Sequence, residues 1–111
     1  MSGFEFILEE RLKLIEDFKK NQVKYFRNIK KISRKYNGKS YLFGSFVKKK
    51  FYGGSDIDVL VFIPHLTRKK KWKILEELKD KVNRNPIFEF HVVGEDEFSL
   101  YKKFIKELKA L

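Results

Sequence analysis

Three short stretches of this chain carry side chains that could do chemistry together. Asp56-Ile57-Asp58 opens an apolar run that ends at Ile63. In a strand, alternation puts both carboxylates on one face, about 6–7 Å apart along the backbone. Aspartate is disfavoured in strands, and two on one face repel each other. A divalent cation removes that repulsion. Hard carboxylate oxygens suit Mg²⁺, with Mn²⁺ as a substitute, commonly held by one or two carboxylates plus substrate phosphates. The plainer reading is a pair of aspartates serving the turn at Gly53-Gly54-Ser55 and facing solvent.

The second stretch is Gly44-Ser45, directly after a short apolar segment. Glycine lets a backbone approach a phosphate closely, and a serine hydroxyl can bond a phosphate oxygen. Alone the pair is a common turn. Lys48, Lys49 and Lys50 follow it as candidate phosphate contacts. The third is Glu89, set between Phe88 and Phe90 in Ile87–Val93. A carboxylate there is costly to bury without a partner. If its strand lies beside Asp56–Ile63, Glu89 completes a three-carboxylate cluster. The alternative is a face exposed at the end of a sheet. His91 shares the face of Glu89, although a lone strand histidine is more often structural. His65, after Pro64, reads as incidental. Together the three stretches describe one reaction. Carboxylate-held metal binds a triphosphate, the Gly-Ser turn and lysines hold its outer phosphates, and an acceptor hydroxyl attacks in line.

The elements that must position these residues follow from periodicity. Residues 3–36 read as helix, as one or as two broken near Lys20–Gln22, with Leu8, Leu12, Ile15 and Phe18, then Val23, Phe26, Ile29 and Ile32 or Ser33, on its apolar side. Ser2 with Glu5 forms a capping box, and Asn37-Gly38 is a stop. Ser40–Phe43 reads as a short strand, and Phe46–Phe51 as a turn of helix. Asp56–Ile63 reads as a central strand covered on both faces. Thr67–Asn83 is an amphipathic helix with Trp72, Leu75, Leu78 and Val82 inward. Ile87–Val93 is a third strand, and Glu95–Leu111 a final helix whose stripe is Phe98, Tyr101, Ile105 and Leu108. Trp72 and the phenylalanines are expected in the core. Tyr25 and Tyr36 could stack on a base, but packing is the default. The expected fold is α+β, an α/β sandwich in the order α-β-β-α-β-α, with a small mixed sheet of about three strands.

At 111 residues, the chain has room for a single domain, residues 1–111. The absence of cysteine removes disulfide scaffolds, Cys-based zinc sites and thiol catalysis. No apolar segment is long enough for a signal peptide or a membrane span, so a cytoplasmic protein is expected. The net charge of +11 is uneven: residues 21–50 hold 10 basic side chains and no acidic one. Such a density attracts phosphate, or is a solvated helix face.

Leu42–Ile63, LFGSFVKKKFYGGSDIDVLVFI, resembles the signature of the DNA polymerase beta-like nucleotidyltransferase superfamily. That signature is an apolar residue, Gly, Gly or Ser, a spacer, then Asp, an apolar residue, Asp or Glu, and an apolar strand. Here the spacer, Phe46 to Ser55, is ten residues. The short length resembles the minimal nucleotidyltransferase branch. The resemblance implies a polymerase beta-like fold and nucleotide contacts from Gly44 and Ser45, to which Ser55 and the neighbouring Lys48 and Lys49 are added. It also implies Asp56 and Asp58 as catalytic metal ligands, and Glu89 as the third carboxylate. Many minimal members carry Arg-Gly a few residues after Gly-Ser, where this chain has Val47-Lys48-Lys49-Lys50. Lysine supplies charge to a phosphate but not the bidentate fork of arginine.

The implied activity is Mg²⁺-dependent transfer of a nucleoside monophosphate from a nucleoside triphosphate, ATP first, to an acceptor hydroxyl on protein, RNA or a small molecule. Minimal members are often antitoxins paired with a helical partner of the HEPN type, and a homodimer is a further expectation. The competing readings are a non-catalytic module that neutralises a partner, and a basic nucleic-acid binder, whose affinity would fall steeply with salt.

Overall fold

The computed structural model describes residues 2–48 and 56–111. Gly3–Lys35 is one unbroken helix, α1. The Ser2 hydroxyl accepts from the Glu5 N–H at 3.2 Å and the Glu5 carboxylate accepts from the Ser2 N–H at 3.3 Å, closing the expected capping box. No break occurs near Asn21, because the inward stripe is not the one expected. Ile15, Phe18, Tyr25, Ile29 and Ile32 are buried, and with Gln22 in the vacant slot they recur at strict three- and four-residue spacings. Tyr25 takes the inward position and Val23 is 71% exposed. A tyrosine can sit there because its hydroxyl donates to Asp17 Oδ2 at 2.7 Å and accepts from Asn83 Nδ2 at 2.9 Å. Burial and the bond to Asp17 push its pKa up to about 12. Past Tyr36, Asn37 turns to positive φ and the Gly38 N–H donates to the Ser33 carbonyl at 2.8 Å. A side chain on Gly38 would strike the Phe62 carbonyl, so the exit from α1 runs against the sheet.

The sheet follows: β1 Lys39–Phe43, β2 Ile57–Phe62, β3 Phe88–Val93 after α2 Arg68–Lys81, then α3 Glu95–Phe104 and β4 Lys109–Ala110. Its order is β3-β2-β1-β4, with β2 and β3 parallel and the other pairs antiparallel. The mixed α+β architecture is the expected one, with a fourth strand added. α1 and α2 pack Phe18, Ile29, Ile74 and Leu78 on the face of Ile57, Val59 and Val61. α3 covers the other face, where Phe98 stacks on Phe62 at 4.5 Å and on Tyr41 at 5.6 Å between ring centroids. Leu60, pointing that way, is as buried as its neighbours, so β2 is the doubly covered central strand.

Three expectations need correction. The final helix does not run to Leu111. It stops at Phe104, Ile105 is extended, and the chain returns so that β4 pairs with β1 and the Leu111 N–H donates to the Ser40 carbonyl at 3.0 Å. The spacing of Ile105, Leu108 and Leu111 also suits a helix, but an unpaired edge on β1 offers backbone partners that a helix there would waste. Trp72 is 62% exposed, because the inward face of α2 is Ile74, Leu78 and Val82 at strict four-residue spacing. Leu8 and Leu12, with Phe4, Phe6 and Ile7, stay exposed on the first turns of α1. That helix of 33 residues spans about 50 Å, against 28 and 24 Å for the short axes of the molecule, so its N-terminal turns overhang the body.

Candidate active site

Asp58 is held from both sides of β2. Phe43 of β1 is its antiparallel partner and Glu89 of β3 its parallel partner. In a parallel pair, residues in register point to the same face, so the ladder sets the two carboxylates side by side on the face that α3 partly covers. His91, two residues along β3, joins them. Its Nε2 lies 3.4 Å from Asp58 Oδ1 and 3.8 Å from Glu89 Oε1. One ligand atom from each of Asp58, Glu89 and His91 falls within 4.8 Å of the others.

The imidazole is itself positioned. Tyr101 of α3 brings its hydroxyl to 3.2 Å from His91 Nδ1, and the Phe43 and His91 rings lie 5.2 Å apart between centroids. Burial first, then the carboxylates of Glu97, Glu89 and Asp58, hold the Tyr101 phenol above its ordinary pKa. It therefore remains a hydrogen-bond donor at neutral pH. The Tyr101 hydroxyl thus holds Nδ1 and leaves Nε2 turned toward Asp58 and Glu89. Sequence reading placed Tyr101 in the apolar stripe of α3 and gave it no further part. The only local signal for it was its place three residues after Phe98, on the face turned to the sheet.

The turn after β1 closes over the carboxylate. Gly44 has φ +78°, a region L-residues avoid, and a Cβ there would collide with Asp58 Oδ2. Glycine is thus required twice at this point, by conformation and by contact. Ser45 follows, half-buried, and the Lys48 N–H donates to the Gly44 carbonyl at 3.3 Å, so residues 44–48 fold as a tight turn beside Asp58. Lys48 itself is exposed. Lys49, Lys50 and Ser55, and the end of the turn expected at Phe46–Phe51, lie outside the described residues.

Asp56 stands apart from the cluster. It precedes β2, is exposed, and its Oδ1 accepts from Arg11 Nη2 of α1 at 3.3 Å. The sequence offered no sign of this pairing across 45 positions. His65 sits away from the cluster, where its N–H donates to Glu95 Oε2 at 2.9 Å.

Two carboxylates and an imidazole with ligand atoms within 4.8 Å of one another, beside a glycine turn followed by lysine, can hold a divalent cation next to a phosphate chain. Similarity to known proteins agrees with that chemistry. The family described as the nucleotidyltransferase domain matches residues 23–111. A crystal structure of a provisionally named nucleotidyltransferase superposes with a TM-score of 0.63 at 31% identity, covering 78% of this chain and 96% of that one. Another, from Sulfolobus solfataricus, has a TM-score of 0.49 at 17% identity over 85% of each chain, and adds nothing to the assignment. No curated protein matches the chain. With four fifths of its length in that match, and the acids of β2 and β3 inside it, the chain belongs to the nucleotidyltransferase domain family and is a nucleotidyltransferase.

Proposed function

We propose that this protein transfers the nucleoside monophosphate of ATP to an acceptor hydroxyl, with Mg²⁺ as its metal. The observation that carries this reading is the convergence of Asp58, Glu89 and His91 beside the Gly44 turn. The donor set of two carboxylate oxygens and one imidazole nitrogen fits a small divalent cation, and the nitrogen makes Mn²⁺ an equally good occupant. Asp58 and Glu89 would be its carboxylate ligands, and His91 a third, with the Tyr101 hydroxyl fixing the far ring nitrogen. Asp56 would join them on leaving Arg11. A cation held there would supply positive charge to the triphosphate during in-line attack. Gly44, Ser45, Lys48, Lys49 and Ser55 bind the phosphates. The acceptor hydroxyl gives its proton to water as its oxygen bonds to the α-phosphorus, the bond to the bridging oxygen breaks, and pyrophosphate leaves.

Residues 1–111 act in this reading as one minimal nucleotidyltransferase domain of the cytoplasm. A helical partner of the HEPN type, as in a toxin–antitoxin pair, is supported by the exposed Phe4, Ile7, Leu8 and Leu12 on the overhang of α1. A homodimer would use the same face. An RNA acceptor has separate support in a recess of about 400 Å³ with Lys30, Arg34 and Lys39 in its wall. Among the described residues, no helix is long and apolar enough to cross a membrane.

The test is transfer of label from α-labelled ATP with Mg²⁺ to a helical partner or RNA. Asp58→Asn and Glu89→Gln should each cut transfer at least about 100-fold, with a Tm at or slightly above the parent, since each removes one of two adjacent like charges. Transfer that survives both substitutions would sink this site as the catalytic one, and no transfer by the parent would favour a binding module.

A further inference from the structure

The early end of α3 opens a cavity. Ile105 is extended (φ −104°, ψ 115°), so the chain turns away from the helix axis toward β4. Between this return and the Gly44 turn lies a cavity of about 510 Å³, within the size range of small-molecule sites. Phe43, Gly44 and Lys48 form one wall, and Phe104, Lys106 and Glu107 stand in the other. The cavity adjoins the acidic cluster, because the same Phe43 ring packs on His91 and the same Gly44 abuts Asp58. The basic recess at Lys30, Arg34 and Lys39 opens at the opposite end of β1 and does not reach the cluster.

The walls have a definite chemistry. Phe104 is 72% exposed and outside the core, and it lines the cavity with Lys103 Nζ 5.7 Å from its ring centroid. An aromatic face held at the mouth of a site is a stacking surface for a planar ring. Lys48 and Lys106 bring positive charge on either side. An ionised Glu107 can only accept hydrogen bonds, so it favours a ring edge that donates.

We propose that this cavity holds the nucleoside of the triphosphate and selects adenine: the base stacks on Phe104, the Glu107 carboxylate accepts from its exocyclic amine, and Lys48 and Lys106 face the phosphates. The assignment rests on the nucleotidyl-transfer reading of the neighbouring acids. Phosphates at Gly44-Ser45 leave the ribose and base to extend to one side, and this cavity touches Gly44 there. A base with a carbonyl in place of the amine, as in ITP, sets an acceptor against Glu107 and is rejected.

Calorimetric titration of the full chain in Mg²⁺ with ATP, ITP and inorganic tripolyphosphate tests this without requiring turnover. The parent should bind ATP roughly tenfold more tightly than tripolyphosphate, by the usual worth of base–aromatic stacking. Phe104→Ala should remove that advantage and leave tripolyphosphate affinity unchanged. Glu107→Gln should close the gap between ATP and ITP. Both side chains are exposed, so neither variant should lose its fold, as Tm will show. Equal binding of ATP and tripolyphosphate by the parent, or a Phe104→Ala loss shared by both ligands, overturns the pocket while transfer dependent on Asp58 would still stand. Absence of any binding overturns both.

Discussion

Gly44→Ala isolates the contact between the phosphate turn and the acid. The substitution has two costs. At φ +78° an L-residue is strained by roughly 1–2 kcal/mol. The new methyl would also collide with Asp58 Oδ2 and lie 3.3 Å from Cγ and 3.6 Å from Cβ of the same side chain. The backbone of Asp58 cannot retreat, since Phe43 and Glu89 hold it on both sides. Relief must come from rotating the carboxylate, which breaks its 3.4 Å contact with His91 and takes it out of the cluster. Stability should therefore fall by about 1–2 kcal/mol, seen as a Tm lower by about 5–10 °C for a chain of this size. Mn²⁺ affinity, read by calorimetry or by electron paramagnetic resonance of the free ion, should fall more than tenfold. Gly44→Ala with the Mn²⁺ affinity of the parent would refute the claim that this glycine exists to let Asp58 stand where it does. An unchanged Tm would refute the strain.

Two further predictions concern α1. Arg11→Ala removes the counter-ion of Asp56, whose own side chain is half exposed; pairs with a solvated partner are worth about 0–1 kcal/mol, so Tm should move by only a few degrees while Mn²⁺ affinity rises several-fold, and unchanged or weaker Mn²⁺ binding would count against competition between Arg11 and the cation. Tyr25 titrates at about 12 in the native chain and near 10 when unfolded. Because the folded value is raised, its contribution is fully present below pH 10 and is lost as pH climbs through 12, to a total of about 2–3 kcal/mol. Urea unfolding from pH 9 to pH 12 should show that loss in the parent relative to Tyr25→Phe, which has no phenol to ionise; parallel curves would refute it.

The parts of the fold legible in the sequence are those where one local pattern permits one structure. Past Asp58, β2 is apolar on both faces from Val59 to Phe62, which only a covered central strand tolerates. Ser2 with Glu5 admits one helix start. Legibility fails where two structures share a pattern and distant groups choose between them. The spacing of Ile105, Leu108 and Leu111 suits a helix as well as an edge strand, and only the open side of β1, some 65 positions earlier, decides. Tyr25 reads as less apolar than Val23 until Asp17 and Asn83 satisfy its hydroxyl.

The candidate site divides the same way, and the division bears on how it works. Alternation along a strand assigns Asp56 and Asp58 to one face, but alternation constrains a side chain only where neighbouring strands lock the backbone. The ladder with β3 begins at Ile57 opposite Phe88. Asp58 is therefore fixed in direction, whereas Asp56 lies outside the ladder and answers to whatever cation is near. In this structure that cation is Arg11, presented by the overhanging turns of a helix that begins outside the matched family region. An exposed ion pair of this kind is cheap to break. In the proposed reading a divalent cation held by Asp58 and Glu89 would bring a larger charge against a carboxylate two residues away, so the exchange from Arg11 to the metal would favour the metal. Asp58 would then supply position and Asp56 adjustment.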